Sequence, residues 1–271
     1  MTQAPSGRRR PPVEQHSYGP HPDQWGRLHL PDRGGRSPRG TVVVVHGGYW
    51  RDKYTAELGV PVAEDLVEHG FAVWNLEYRR AGTDGATGAG GWPGTFEDVA
   101  AGIDHLAAIA SRCGLDLDRV VALGHSAGGH LAVWAAGRHT LPPDAPGARP
   151  AVTLAGVVSQ AGVLDLAAAE RLGLSEQAAR NLMGGTSAQL ERPFALADPA
   201  RALPIGTAVH AVHSRTDDAV PFALSADYVT AARAAGDPAE LHEVGGDHFA
   251  VIDPDQKAYR TCRDLLERLL P

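Results

Sequence analysis

Cysteine is nearly missing from this chain. Cys113 and Cys262 are the only two among 271 residues, and neither belongs to a Cys-x-x-Cys pair. That excludes a disulfide-framed small domain and a thioredoxin-like motif, and it fits a reducing cytoplasm best. Long apolar runs are missing too. None approaches the roughly 20 residues of a membrane-spanning helix, so no membrane partner is expected. Nor is positive charge in excess. The formal net charge is −7, which gives no reason to expect nucleic acid as a partner. Arg8-Arg9-Arg10 is followed by Pro11-Pro12-Val13-Glu14-Gln15-His16 rather than by the apolar core of a signal peptide, so residues 1–20 read as a disordered tail. The Gly-rich stretch 82–91 lacks the Gly-Lys-Ser/Thr of a phosphate loop and reads as a flexible connection. No cofactor is expected, and there is no internal repeat.

What is present is a core. The chain is 43% hydrophobic, and its length suits one large α/β domain over residues 21–271. Thr41-Val42-Val43-Val44-Val45 is a β-branched run of the kind buried on both faces in a central parallel strand. Further strands are expected at 25–30, 71–76, 119–123, 152–159, 207–213 and 239–244. Helices are expected at 55–69 (Leu58, Val62, Leu66 and Val67 inward), 96–113, from about Leu131, at 222–235 and at the C-terminus. The alternation predicts a mostly parallel central sheet with helices on both faces. Residues 160–204 mix short helical pieces with Gly and Pro and read as a short cap segment.

Function in such sheets gathers at the carboxyl ends of the strands. Gly124-His125-Ser126-Ala127-Gly128 follows one apolar strand and opens a helix-forming run. A Gly-x-Ser-x-Gly in that context is a nucleophile elbow, with Ser126 at its tip. A serine hydroxyl needs a base, and the base needs a group that fixes its tautomer. The order Ser, Asp, His is supplied by Ser126, Asp217 and His248. Of the other histidines, His210, His213 and His242 fall in or at the end of strands, and His125 and His130 flank the serine too closely. His242 reads as a packing or edge residue. Asp217 and Asp218 are adjacent, and the pattern His213-x-x-x-Asp217-x-x-Val220-Pro221 favours Asp217, with Asp218 as a helix cap. Asp247 reads as a turn residue and Asp165 as a helix start.

The oxyanion of an acyl-transfer intermediate needs backbone donors. The amide of Ala127 is one, and the loop His46-Gly47-Gly48-Tyr49-Trp50 after the 41–45 strand should supply others from Gly47 and Gly48. His46 is expected to anchor this loop through its side chain. Tyr49, Trp50, Trp92 and Phe249 fall near the expected mouth as candidate substrate-binding aromatics.

These residues resemble the α/β-hydrolase superfamily over about residues 25–270. His46-Gly47-Gly48-Tyr49-Trp50 is similar to the His-Gly-Gly-x-Trp signature of kynurenine formamidases (arylformamidases) and related small esterases, and the elbow from Gly124 to Ala132 is similar to theirs. The resemblance implies the α/β-hydrolase fold, a triad of Ser126, Asp217 and His248, and a Gly-Gly oxyanion hole. It also implies hydrolysis of N-formyl-L-kynurenine to L-kynurenine and formate, in tryptophan breakdown and without a cofactor. A general carboxylesterase with the same triad is the alternative, and a non-catalytic hydrolase-fold binding protein is the third reading. Some kynurenine formamidases are unrelated metal enzymes; this chain lacks an obvious clustered metal-ligand motif, so no metal is expected. The expected partner is a small aryl-formamide or ester, and self-association as a homodimer stays open.

Overall fold

The computed structural model describes residues 13–32, 37–82 and 90–271. The three-arginine cluster and most of the 82–91 stretch lie outside the described residues. Eight strands form one sheet: β1 (Val13–Ser17), β2 (Trp25–His29), β3 (Thr41–Val45), β4 (Ala72–Leu76), β5 (Val120–His125), β6 (Gly156–Gln160), β7 (Ala208–Ser214) and β8 (Ala239–Val244). Their order across the sheet is β1-β2-β4-β3-β5-β6-β7-β8. From β4 to β8 every pairing is parallel, while β1 and β2 add to the β4 side antiparallel.

The run at 41–45 behaves as its composition dictates. All five residues of β3 are buried. Val43 and Val45 enter one core cluster, and Val42 and Val44 enter the other. Successive side chains point to opposite faces, so a strand covered on both sides must be apolar throughout. The first face is covered by α2 (Gly94–Cys113), α3 (Ala127–Ala136) and α7 (Ala223–Ala234); the second is covered by α1 (Val60–Glu68) and α8 (Lys257–Leu269). The helix α3 buries all ten residues, which is why its sequence carries no polar stripe. No helix among the described residues is long and apolar enough to cross a membrane.

Three expectations need correction. Residues 13–17 are not tail but the edge strand β1, paired with β2 in the register Val13↔His29 to Ser17↔Trp25. The strand expected at 152–159 begins at Gly156; Val152 and Leu154 are buried, but in the approach to the strand rather than in the ladder. The helix expected at 55–69 is a 3-10 turn, Ala56–Gly59, followed by α1. Leu58 lies in that 3-10 turn and is 37% exposed, not inward as expected. Within 160–204 lie three short helices: α4 (Leu166–Arg171), α5 (Leu174–Met183) and α6 (Glu191–Ala197). As expected, Asp165 caps α4, accepting the Ala168 amide at 2.6 Å.

Candidate active site

Ser126 sits between the end of β5 and the start of α3 with φ 55° and ψ −118°. That backbone is strained for a residue with a Cβ, and the surrounding packing enforces it. A Cβ on Gly124 would lie 2.2 Å from the Gly128 carbonyl oxygen, and one on Gly128 would lie 2.0 Å from that of Val45. Only two glycines let strand and helix approach this closely, which is the physical content of the Gly-x-Ser-x-Gly spacing. The Ser126 amide donates to the Gln160 carbonyl at 2.8 Å, tying the turn to β6. Ala127 opens α3, where a helix amide has no intrahelical acceptor and stays available to a ligand.

Ser126 and His248 line one cavity of about 260 Å³, together with Gly48, Tyr49, Tyr54, Leu58, Ser175, Ala219 and Phe249 among others. The cap-like segment thus reaches the rim through Ser175. His248 follows β8 and is buried. Its Nδ1 lies 2.7 Å from Asp217 Oδ2. Two strand ends have met as the chain order required. Asp247 makes the turn, accepting the amides of Phe249 and Ala250 at 3.0 Å each.

Asp217 is held from every side. Its Oδ1 accepts the amides of Ala219 (2.9 Å) and Val220 (2.8 Å), and His213 Nε2 lies 3.2 Å from its Oδ2. Burial pushes the carboxyl up, but the hydrogen bonds from His213, His248 and Val220 outweigh it and hold the group well below the usual carboxylate range. Asp218, by contrast, is exposed, and α7 has no side-chain cap, so Asp218 is not the capping residue expected. His213 is no candidate base on chain order, yet it belongs to the site. It is fully buried, with Nδ1 2.8 Å from Ser225 Oγ and Nε2 3.0 Å from the Val220 carbonyl. The His213-x-x-x-Asp217 spacing is its one visible signal in the sequence. Two further side chains hold the His248 loop. His125 Nε2 is 3.0 Å from the His248 carbonyl, and Gln160 Nε2 donates to the Val251 carbonyl. Burial first, then the neighbouring His248, pushes the His125 imidazole down to about 3, so it is neutral and serves as a strut.

The Gly47–Gly48 loop is fixed by a buried polar network. His46 Nε2 lies 3.0 Å from Glu77 Oε1, and the other Glu77 oxygen accepts the Ala56 amide at 2.9 Å. Burial lowers the His46 imidazole to about 3, and its Nδ1 lies 2.9 Å from the Gly47 carbonyl, so the ring bridges the loop backbone and the carboxylate. Arg80 donates to the same carboxylate, and the Tyr78 hydroxyl donates to the His46 carbonyl at 2.8 Å. The anchoring expected of His46 is present. Gly47 lies against Ser126, since a Cβ there would sit 3.1 Å from the Ser126 Cβ.

The aromatics divide. Tyr49 and Phe249 line the cavity, and the Tyr49 hydroxyl donates to the Ala219 carbonyl in the Asp217 loop. Trp50 does not. It is 1% exposed and packs edge-on against His130 at 5.2 Å. Trp92 packs against Phe96 at 5.0 Å and is absent from the lining. Trp50 belongs to the core and Trp92 packs half-buried against it, so neither lines this cavity as expected.

A nucleophile elbow, a buried histidine–aspartate pair beside it and a glycine loop, all at the carboxyl edge of this sheet, make the chain a serine hydrolase with the α/β-hydrolase fold. Within that class it belongs to the BD-FAE family, whose model matches residues 28–231. Among solved structures it is similar to a bifunctional GH43-CE protein of Bacteroides eggerthii at 22% identity and TM-score 0.78, covering 94% of this chain but 35% of that longer one. A truncated carbohydrate esterase from gut microbiota is 18% identical, with TM-score 0.80 and coverage of 94% and 95%. A butyrate-bound esterase, Est2 of the Planctomycetes species Thermogutta terrifontis, is 22% identical, with TM-score 0.74 and coverage of 95% and 93%. At these identities the likeness speaks for the fold alone. No curated protein matches the chain. The kynurenine formamidase resemblance has no support from the matched family or from these structures.

Proposed function

We propose that this chain is a carboxylesterase for short-chain esters, with Ser126 as nucleophile, His248 as general base and Asp217 as the group that orients it. The observation that carries the reading is the 2.7 Å contact of His248 Nδ1 with Asp217, on a histidine that shares the cavity with Ser126. Asp217 accepts a hydrogen bond from Nδ1–H, which leaves the Nε2 lone pair free. As Ser126 Oγ bonds to the ester carbonyl carbon, His248 takes its proton. The amides of Ala127 and of the Gly47–Gly48 loop hold the oxyanion. His248 then protonates the departing alcohol as the carbon–oxygen bond breaks, and water, deprotonated by the same imidazole, releases the acid.

The small cavity favours short acyl groups, and the butyrate-bound esterase of the same fold is consistent with that. Cleavage of an aryl-formamide is the second reading. Tyr49 and Phe249 at the cavity favour it, whereas the absence of Trp50 and Trp92 from its lining removes half of the aromatic set it relied on. Steady-state kinetics on p-nitrophenyl esters of increasing chain length, beside N-formyl-L-kynurenine, separate the two. The expected result is highest kcat/KM for acetate to butyrate esters, falling for long chains, with the formamide slower. A formamide turned over faster than every ester would overturn the proposal in favour of the second reading.

His213 acts through Asp217 as a positioning residue. Losing one hydrogen bond to a buried carboxylate is worth about 1.5–3 kcal/mol, so His213→Ala should lower kcat about 10- to 100-fold with KM little changed. His213→Gln, which keeps a donor, should recover part of that loss. Equal effects on KM and kcat, or no recovery, would reduce His213 to packing.

A further inference from the structure

Away from the cavity, three metal-ligating side chains converge on the sheet margin. His210 on β7 stands directly opposite Glu240 on the edge strand β8, and His242 lies two residues further along β8. Side chains two apart on a strand share a face, so all three project from one side of the sheet. The flanking Val209, Ala211, Ala239 and Leu241 pack into the core on the other side.

The spacing of the donor atoms is the telling observation. His210 Nδ1 is 3.2 Å from His242 Nε2; Glu240 Oε2 is 3.4 Å from that His242 nitrogen and 3.8 Å from the His210 nitrogen. Zinc binds imidazole nitrogen and carboxylate oxygen at about 2.0–2.2 Å, which places tetrahedral ligands about 3.3–3.6 Å from one another. The three atoms therefore already stand close to the corners of one face of a zinc tetrahedron. Both imidazoles are only partly exposed, so their rings are held by the strands, while Glu240 is exposed and free to adjust. The charges of Arg268, felt by both histidines, and of Arg233, felt by His242, disfavour added positive charge there, and the Glu240 carboxylate offsets them. The other grouping of this kind among the described residues, Glu14, His16 and Cys113, has the Arg112 guanidinium 3.2 Å from His16 Nδ1. A cation at that nitrogen disfavours a second cation there.

We propose that His210, Glu240 and His242 form a divalent zinc site with water in the fourth position, distinct from the catalytic cavity. It would clamp the edge strand β8 to β7, the two strands whose ends carry His248 and Asp217. A ligand that binds the folded chain alone raises its stability by mass action.

The test uses the full chain without an affinity tag, freed of metal with a chelator. Zn²⁺ is titrated by calorimetry, and thermal unfolding is followed with Zn²⁺ or with Mg²⁺. The expected result is one saturable equivalent of Zn²⁺ and a Tm rise of about 5 °C near 100-fold excess over Kd, with no effect of Mg²⁺. His242→Ala should abolish both effects. Glu240→Gln, at an exposed position that cannot threaten the fold, should weaken binding about tenfold or more. Cys113→Ser should change neither. Absence of saturable binding, unaltered binding in His242→Ala, or loss in Cys113→Ser would each overturn the assignment.

Discussion

Ser126→Ala should lower kcat by about 10⁶-fold while leaving Tm within a degree or two of the parent. The size follows from what the hydroxyl does. Without Oγ there is no acyl-enzyme, and the remaining amides at Ala127 and Gly48 supply only the residual rate of polarisation and binding. The expected silence in stability follows from the local geometry. The Ser126 side chain caps nothing at the start of α3, and the turn is held by backbone contacts that alanine keeps, including the amide bond to Gln160. The strained φ of 55° is the same burden for either residue. Parallel measurement of ester hydrolysis and thermal unfolding checks both halves. A variant retaining most activity would remove Ser126 from the mechanism, and one that failed to fold would show that the hydroxyl holds the elbow.

Asp217→Asn should cost about 10⁴-fold in kcat with the fold retained. The four donors around the carboxylate predict the direction of failure. The amides of Ala219 and Val220 require an oxygen where Oδ1 stands, so the asparagine nitrogen must replace Oδ2. That nitrogen is a donor facing His248 Nδ1, which must then accept, and the imidazole proton moves to Nε2, where it can no longer receive a proton from Ser126. The same substitution has a stability signature. Asp217 is held below its unfolded value of about 4, so it contributes stability at neutral pH that is lost as pH falls through and below that value. The variant should be less stable at neutral pH and should show a shallower loss on acidification. A pH series of denaturant midpoints for the two proteins reads this directly.

Much of the architecture is legible in the amino-acid sequence because burial on both faces writes itself into composition. β3 and β5 are buried throughout and apolar apart from Thr41 and His125, and their boundaries are nearly those expected. The edge strand β1 cannot be read this way. Its one large apolar residue, Val13, is 51% exposed, and the strand pairs on one side only, so no hydrophobic pattern marks it. Site residues follow the same logic. Ser126, Asp217 and His248 are legible because glycine spacing, chain order and position after a strand are constraints along the sequence. Trp50 is misplaced by sequence alone because adjacency to Tyr49 says nothing about direction: both residues have positive φ, yet Trp50 is buried in the core while Tyr49 lines the cavity. Gln160 acts on Val251, 91 residues away, and His213 is held in place by Ser225, 12 residues away, contacts that no local pattern reports. The three donors on β7 and β8 are hidden for the same reason, since 30 residues separate His210 from its opposite neighbour Glu240.

In the proposed mechanism Ser126 is the single activated nucleophile of this chain. Reaction with diethyl p-nitrophenyl phosphate, followed by intact-mass measurement and peptide mapping, tests it most directly. The expected outcome is one diethylphosphoryl adduct per chain, located on Ser126, with loss of esterase activity in proportion and no labelling of Ser126→Ala. An unlabelled chain, or an adduct on any other residue that accompanies the loss of activity, would contradict it.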